Sequence, residues 1–346
     1  MERRQLAPGY SISRIIKGGW QLAGGHGAID RDDAVADMRA YLAAGVTAFD
    51  CADIYTGVEE MIGAFRREVL RRHGAATLAA LKIHTKFVPD LVALPCVNRA
   101  HVRRTVDRSL SRLGLERLDL VQFHWWDYAV PRYVETAFWL AELQREGKIH
   151  LIGGTNFDAA RTAELIAAGI DVRTMQVQYS VLDTRPEDGI ATLCGTHGVQ
   201  LLCYGTVAGG FLAERWLGAS DPGIALENRS LVKYKLVIDD AGGWGWFQQV
   251  LRTLAQIARR HDADIASIAS RFVLEQPHVA ACIIGVRNRA HLAMHLRASA
   301  IALTAEDHAA IRAVMAQGRR LAGDIYALER DREGRHGRIM KYDLAG

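Results

Sequence analysis

The feature that most constrains the fold is a repeated alternation of short apolar, β-rich runs with amphipathic helices. Eight such units are predicted, from a strand in 15–22 with a helix in 32–44 to a strand in 280–284 with a helix in 305–319. Strands that alternate with helices are typical of a parallel sheet. Eight units in a chain of 346 residues favour a closed barrel over an open sheet. We therefore predict an α/β fold, a (β/α)8 TIM barrel, with residues 1–346 forming a single domain.

Two segments exceed what eight units need. Residues 205–246, rich in Gly and Trp, connect the seventh strand to the next helix. Connections of that length are usually functional lids or disordered, so we predict a long loop beside the functional site. Residues 321–346 form a C-terminal tail whose ALERDREGRHGR stretch is highly charged. We expect this tail to be solvated.

Composition narrows the class of protein. The chain is 49% hydrophobic and 24% charged, which is typical of a globular domain. Its net charge of +4 is spread along the sequence, which argues against a nucleic-acid partner. No run reaches the roughly 18–20 apolar residues of a membrane span, and the N-terminus lacks the apolar segment of a signal peptide. Five cysteines without a CxxC motif indicate reduced thiols, so we expect a cytoplasmic protein with no membrane partner.

Polar and aromatic residues follow the predicted strands, at the end of the barrel where active sites form. A lone His or Lys at such a position is usually structural, so the prediction of a site depends on the whole set. In chain order these residues are Trp20, Asp50, Tyr55, Lys86, His124, Trp125, Trp126, Thr155, Asn156, Gln178, Tyr204, Gly285 and Arg287.

An acid, a phenol, an ammonium and an imidazole come from three consecutive strand ends. A Lys86 cation beside the phenol of Tyr55 favours the phenolate and lowers its pKa from about 10. Asp50 keeps Lys86 charged, and His124 can hydrogen-bond the phenol or a substrate oxygen. The set predicts a tuned general acid that protonates an oxygen on which negative charge develops.

Seven motifs then identify a family. They are, in order, FDCADIYTGVEEMIGAF, IHTKF, RSLSRLGLERLDLVQFHWWD, GKIHLIGGTNF, QVQYS, CYGTVAGGFL and IIGVRN. From about residue 18 to residue 295 the chain resembles the aldo-keto reductase superfamily. The resemblance implies an oxidoreductase on a (β/α)8 barrel that reduces aldehydes or ketones with NAD(P)H. It makes Asp50, Tyr55, Lys86 and His124 the catalytic tetrad, with Tyr55 as proton donor to a carbonyl that receives hydride from the nicotinamide.

The resemblance also implies a cofactor site. Asn156 and Gln178 would hydrogen-bond the nicotinamide carboxamide, and Tyr204 would stack on the nicotinamide ring. A GxGxxG fingerprint is absent from the sequence, so a Rossmann site is not supported. The family binds dinucleotides across the strand ends and the loop after strand seven, which makes 205–246 the cofactor-side loop. The other cofactor-binding residues in this assignment are Trp20, Thr155, Gly205, Phe211, Leu212, Gly285, Arg287, Arg289 and His295.

The adenine end departs from the family pattern. Met294 and His295 stand where family members often have an acidic residue and an Asn. Arg287, with Arg289 as second candidate, can meet a 2′-phosphate because guanidinium pairs well with phosphate. These arginines favour NADP, with NAD as the alternative. His291 and His295 have the i, i+4 spacing of zinc ligands, but no third ligand is evident and we assign no metal.

Three functions remain in competition. The first is reduction of a small-molecule carbonyl, bulky or aromatic, in an apolar pocket lined by Trp20, Trp125 and Trp126. The second is a cofactor-binding regulatory subunit resembling the potassium-channel β-subunits, which keep the tetrad and act mainly through partners. Carbonyl-dependent oxidation of NADPH separates these two. The third is an NAD(P)-linked dehydrogenase of a sugar or alcohol, which the same residues would serve in the reverse direction.

Overall fold

The apolar runs predicted as strands pair in parallel and close into a barrel in our computed structural model, which describes residues 1–24, 27–285 and 288–343. An antiparallel hairpin that we did not predict, β1 (Arg3–Ala7) and β2 (Tyr10–Ser13), precedes the barrel. The fold prediction is confirmed, since β10 pairs with β3 and closes a ring of eight strands. These are β3 (Ile15–Gly18), β4 (Ala48–Asp50), β5 (Lys82–Phe87), β6 (Leu118–Phe123), β7 (Ile149–Thr155), β8 (Val172–Gln178), β9 (Gln200–Tyr204) and β10 (Val279–Gly285).

Helices follow the barrel strands as predicted, and several begin at side-chain caps. Thr304 and Asp307 form the capping box of α11, which satisfies otherwise unpaired backbone N–H groups. The helices are α1 (Arg31–Ala43), α2 (Val58–Ala80), α3 (Arg99–Leu113), α4 (Tyr133–Arg145), α5 (Ala159–Ala167), α6 (Gly189–His197), α7 (Arg229–Ala241), α8 (Gly243–Arg260), α9 (Ile265–Leu274), α10 (Leu292–Ala300), α11 (Ala305–Met315) and α12 (Ala327–Arg330).

The barrel interior changes from apolar to polar along the strands. Ile16, Ala48 and Leu120 belong to an apolar cluster with residues of the hairpin, which covers that end of the barrel. Side chains of a strand alternate between its two faces, so the next interior position lies two residues on. There Asp50 follows Ala48 and Gln122 follows Leu120. The polar layer therefore lies towards the C-terminal ends of the strands, where active sites of such barrels form.

Two expectations about the surplus segments were wrong in part. Residues 205–246 are not one long loop, because they contain α7 and the start of α8. The tail is not simply solvated: Ile325, Tyr326 and Glu329 are buried, and Glu329 is 0% exposed. The tail packs because its apolar residues and Glu329 find partners on the barrel. Within the described ranges, no helix combines the length and apolar character needed to cross a membrane.

Candidate active site

A buried ion pair lies at the centre of the polar layer. Lys86 Nζ is 2.5 Å from Asp50 Oδ1 and donates a second hydrogen bond, of 2.8 Å, to the carbonyl oxygen of Cys51. The strands that carry the two residues are neighbours, with Asp50 beside His84 in the register. Burial by itself would lower the pKa of Lys86, but the charge of Asp50 outweighs it and raises that pKa above its ordinary value. This contact is the one that the predicted role of Asp50, keeping Lys86 charged, requires.

The second oxygen of Asp50 accepts from two glutamines that we did not predict. Gln122 Nε2 lies 2.8 Å and Gln176 Nε2 lies 2.7 Å from Asp50 Oδ2. Gln176 Nε2 also donates to Gln122 Oε1 at 2.8 Å. A buried carboxylate without such partners would be costly. The sequence feature that could have predicted these two residues is a glutamine within an apolar strand: Gln122 in LDLVQF and Gln176 in VRTMQVQ.

Tyr55 lies beside this pair. Lys86 Nζ is 4.9 Å from the centroid of the Tyr55 ring, and the Trp20 ring lies 5.1 Å from the Tyr55 ring on another side. We predicted that Lys86 lowers the pKa of Tyr55. Its charge does act in that direction, but burial outweighs it and the net pKa of Tyr55 is raised. The phenol is therefore protonated at neutral pH, which is the form a proton donor requires.

His124 is a neutral imidazole with one defined tautomer. Its Nδ1 lies 2.9 Å from the carbonyl oxygen of Thr155, and because a carbonyl can only accept, Nδ1 carries the proton. Burial and the nearby charge of Arg330 lower the pKa of His124 to about 3. Its Nε2 is thus a bare acceptor, buried and without a hydrogen-bond partner in the described part of the chain. Such an atom can accept a hydrogen bond from a phenol or from a substrate hydroxyl.

Two amide side chains at the strand ends, Asn156 and Gln178, offer a hydrogen-bond donor and a hydrogen-bond acceptor. The Tyr204 hydroxyl donates to Asn156 Oδ1 at 2.9 Å, which leaves the Asn156 NH2 as a donor. Gln178 Nε2 donates to Asp183 Oδ2 at 2.7 Å, and Gln178 Oε1 is buried without a partner among the residues described. One free donor and one free acceptor match the C=O and NH2 of a carboxamide. This donor set fits the nicotinamide group that the resemblance implies.

The three tryptophans do not share one environment. Trp20 packs on Tyr55, and the Trp126 ring lies 4.3 Å from His124 in an edge-on arrangement. Trp126 Nε1 is buried and has no partner within the described ranges. Trp125 is 0% exposed, packs on Phe123, and donates its indole N–H to a main-chain carbonyl oxygen. We therefore correct the assignment of Trp125: it is a core residue, because its ring is fully buried and its indole N–H is already paired.

The remaining cofactor-side residues divide into two groups. Gly205 has φ +76°, and a Cβ there would meet the Tyr234 hydroxyl, so a larger residue would be strained. A Cβ at Gly285 would meet the amide of Gln21. Phe211 and Leu212 are fully buried, and their N–H groups donate to carbonyl oxygens of their own loop. These two residues shape the loop and offer neither an exposed side chain nor a free N–H.

The residues predicted to bind the adenine half of the cofactor are Arg287, Arg289 and His295. Arg287 lies outside the described residues. Arg289 has a side chain that is 66% exposed, with Asp37 3.9 Å away. His295 is buried, and its Nδ1 is 2.8 Å from the Tyr41 hydroxyl, so this nitrogen is already engaged. No cluster of His, Cys, Asp or Glu in the described part of the chain could hold a metal ion.

The C-terminal tail supplies residues that sequence reasoning missed. The Tyr326 ring lies 5.8 Å from His124, and Arg330 Nη2 donates to the carbonyl oxygens of Asn156 at 2.7 Å and Trp125 at 3.2 Å. Glu329 pairs with Arg185 at 3.3 Å. Local sequence carried no signal for these contacts, because a charged stretch near a chain end is typical of a solvated tail.

Comparisons with known proteins agree with this geometry. Aldo-keto reductase YhdN of Bacillus subtilis is 27% identical over 325 residues, covering 91% of this chain and 94% of its own length. The NADH-specific methylglyoxal reductase of Escherichia coli is 26% identical over 298 residues, covering 80% and 86%. A thermostable aldo-keto reductase solved with the inhibitor epalrestat is 26% identical, with a TM-score of 0.71 over 91% of this chain and 100% of that one. The model of the Aldo/keto reductase family matches residues 14–316. The chain therefore belongs to the aldo/keto reductase family of nicotinamide-dependent oxidoreductases.

Proposed function

We propose that this protein reduces aldehydes or ketones with NADPH and that Tyr55 donates the proton. The observation that carries the proposal is the buried ion pair of Asp50 and Lys86 beside the half-buried Tyr55, with Lys86 Nζ 4.9 Å from the Tyr55 ring centroid. A bound reduced nicotinamide supplies the hydride that the carbonyl carbon accepts. The chain itself supplies the proton for the oxygen and stabilises the charge that develops there.

The proton donor and its supports have separate tasks. Tyr55 is protonated at rest because burial raises its pKa. As its proton moves to the carbonyl oxygen, the Lys86 cation stabilises the phenolate that forms. Asp50 holds Lys86 charged and in place through the 2.5 Å ion pair. His124 Nε2, which is a bare acceptor, orients the phenolic proton or the product hydroxyl by accepting a hydrogen bond.

Asn156, Gln178 and Tyr204 would hold the nicotinamide. The free NH2 of Asn156 and the free Oε1 of Gln178 would bond its carboxamide, while the ring of Tyr204 offers a flat apolar surface for stacking. The positions of Trp20 and Trp126 support bulky or aromatic carbonyl substrates, since the first ring lies against Tyr55 and the second against His124.

NADP preference is the finer part of the proposal. It is supported by the guanidinium of Arg289, which is 66% exposed and only loosely paired. The E. coli relative is described as NADH-specific, so both dinucleotides belong in the test. We expect a higher kcat/KM with NADPH than with NADH, and we expect Arg289→Met to raise the KM for NADPH alone. Equal use of both cofactors would overturn the preference.

The test of the proposed function is consumption of the reduced cofactor with a panel of aliphatic and aromatic aldehydes and ketones. We expect turnover that requires carbonyl, with aromatic members preferred. If the cofactor binds and no carbonyl is reduced, the enzyme assignment fails and the regulatory-subunit alternative gains. Turnover only in the presence of oxidised cofactor and alcohols would favour the dehydrogenase alternative.

A further inference from the structure

A buried network of four charged residues connects the C-terminal tail with the proposed nicotinamide site. Arg185 donates to both oxygens of Asp183, at 2.9 and 2.7 Å. Arg185 also donates to Glu329 of the tail, and Lys233 of α7 lies 3.3 Å from Glu329. The side chains of Asp183, Arg185 and Glu329 are at most 3% exposed. Two carboxylates and two cations thus balance one another, and only Lys233, with a side chain 12% exposed, reaches water.

The network ends at Gln178. A carboxylate can only accept hydrogen bonds, so the contact of Asp183 with Gln178 requires the Gln178 NH2 to face Asp183. Gln178 Oε1 must then point the other way, as an acceptor with no partner among the described residues. The orientation of this amide is therefore set by Asp183.

We propose that Glu329, in the tail, is a positioning residue for Gln178. It acts through Arg185 and Asp183, and it keeps Gln178 Oε1 available to accept from the NH2 of a carboxamide. The inference rests on the proposed function, in which that carboxamide belongs to the nicotinamide cofactor.

Charge balance explains why Glu329 matters at a distance. Burial would raise the pKa of Glu329, but Lys233 and Arg185 lower it to about 2, so it is ionised. Arg185 is already paired with Asp183, so without the charge of Glu329 the Lys233 cation would compete with Arg185 for that carboxylate. A buried cation without a partner is costly, so Asp183 would move to serve two cations. The amide of Gln178 would lose the partner that holds its orientation.

The experiment compares two cofactors in variants of the full-length protein. Isothermal titration calorimetry measures the Kd of NADP⁺ or NAD⁺, whichever binds more tightly, and of its 3-acetylpyridine analogue. The analogue carries a methyl ketone in place of the carboxamide, so it has no NH2 to donate to Gln178. We expect Glu329→Gln to weaken binding of the natural cofactor about fivefold, the effect of one hydrogen bond, and to leave the analogue unchanged.

Four further variants sharpen the result. Gln178→Ala should show the same selective loss, and the double variant Glu329→Gln/Gln178→Ala should be no worse than Gln178→Ala. Arg185→Lys keeps the charge and removes the planar fork, so it tests the same connection if Glu329→Gln does not fold. Glu333→Gln is the matched control, because this tail carboxylate is 92% exposed and should change neither Kd.

Two results would overturn the inference: equal weakening of both cofactors, which would indicate general support of the fold, or no weakening of either. Failure of the proposed function is seen separately, in the unmodified protein. If that protein binds the natural cofactor and reduces no carbonyl, the proposed function fails, and selective weakening by Glu329→Gln still establishes the role of Glu329. If it binds neither dinucleotide, both fail.

Discussion

Lys86 and Asp50 form an ion pair inside the barrel, with Nζ 2.5 Å from Oδ1 and both side chains 5% exposed. The pair is buried because β4 and β5 are neighbours and both side chains lie inside the barrel, with Lys86 two residues beyond the residue that faces Asp50 in the register. Breaking such a pair by removing one partner leaves an uncompensated charge, which usually costs more than the pair contributes. Substitution of either residue of the Lys86–Asp50 pair is therefore expected to change both the activity and the stability of the protein.

Replacing Lys86 should lower both the activity and the stability of the protein. We expect Lys86→Met to abolish most turnover and to lower the free energy of unfolding by about 3–5 kcal/mol. The double variant Lys86→Met/Asp50→Asn should be more stable than Lys86→Met alone, because the lone buried charge is gone, yet equally inactive. Urea denaturation and steady-state kinetics measure the two effects. Arg99→Met, which breaks an exposed pair with Glu142, is the control and should cost at most about 1 kcal/mol.

Replacing Tyr55 should separate chemistry from cofactor binding. We expect Tyr55→Phe to lower kcat by about 10²- to 10⁴-fold, because the proton donor is lost while the ring and its contacts remain. The Kd of the cofactor should stay near that of the unmodified protein in a fluorescence titration. Tyr133→Phe removes a hydroxyl from α4, bonded to Glu164, and serves as the control. Substantial turnover by Tyr55→Phe would show that another group protonates the substrate.

His124 should remain neutral through the physiological range. Its pKa is lowered to about 3 in the fold, against about 6.5 in an unfolded chain. The neutral imidazole therefore contributes stability that is fully present above pH 6.5 and is lost as the pH falls towards 3. The loss can reach about 1.4 kcal/mol per pH unit for this one group.

Proton NMR of the imidazole and urea denaturation at several pH values measure this behaviour. We expect the His124 resonance to show no titration between pH 8 and about 5. We also expect His124→Gln to reduce the loss of stability on acidification. A titration midpoint near 6.5 would contradict the buried, Nδ1-protonated state.

Arg330 should link the tail to the strand ends. Its Nη2 donates to the carbonyl oxygens of Asn156 and Trp125, and Asn156 has φ 61°, a conformation in need of support. We expect Arg330→Met to lower the free energy of unfolding by about 1–3 kcal/mol and to raise the KM for the cofactor. Arg332, two residues on, has a side chain that is 56% exposed, and Arg332→Met should leave the free energy of unfolding and the KM for the cofactor unchanged within error. Equal effects of the two substitutions would contradict a specific role of Arg330.

Much of the fold and part of the site could be predicted from the chain alone. The period of two in the strands and of 3.6 in the helices is local, so β6 at Leu118–Phe123 and α6 at Gly189–His197 lie where predicted. The hairpin at the start of the chain and α7 were missed, because their apolar residues pack against distant elements and show no long periodic run.

The predicted site residues that depend on the ends of strands lie close together in the fold. Asp50, Lys86 and His124 lie at such ends, and the parallel register brings the first two together. The prediction was wrong for Trp125, since its ring is fully buried and the burial of a side chain after a strand end is decided only by the fold. The pKa of Tyr55 was predicted in the wrong direction, because the degree of burial is unknown from a sequence.

The sequence by itself determined the barrel and the polar residues that follow its strands, since both depend on periodicity and spacing within short segments. Only the tertiary structure decided how the C-terminal tail is used. Glu329 meets Arg185 across 144 residues, and Arg330 meets Asn156 across 174. Contacts at such separations leave no local pattern, and their strength depends on the removal of water, which occurs only when the chain has packed.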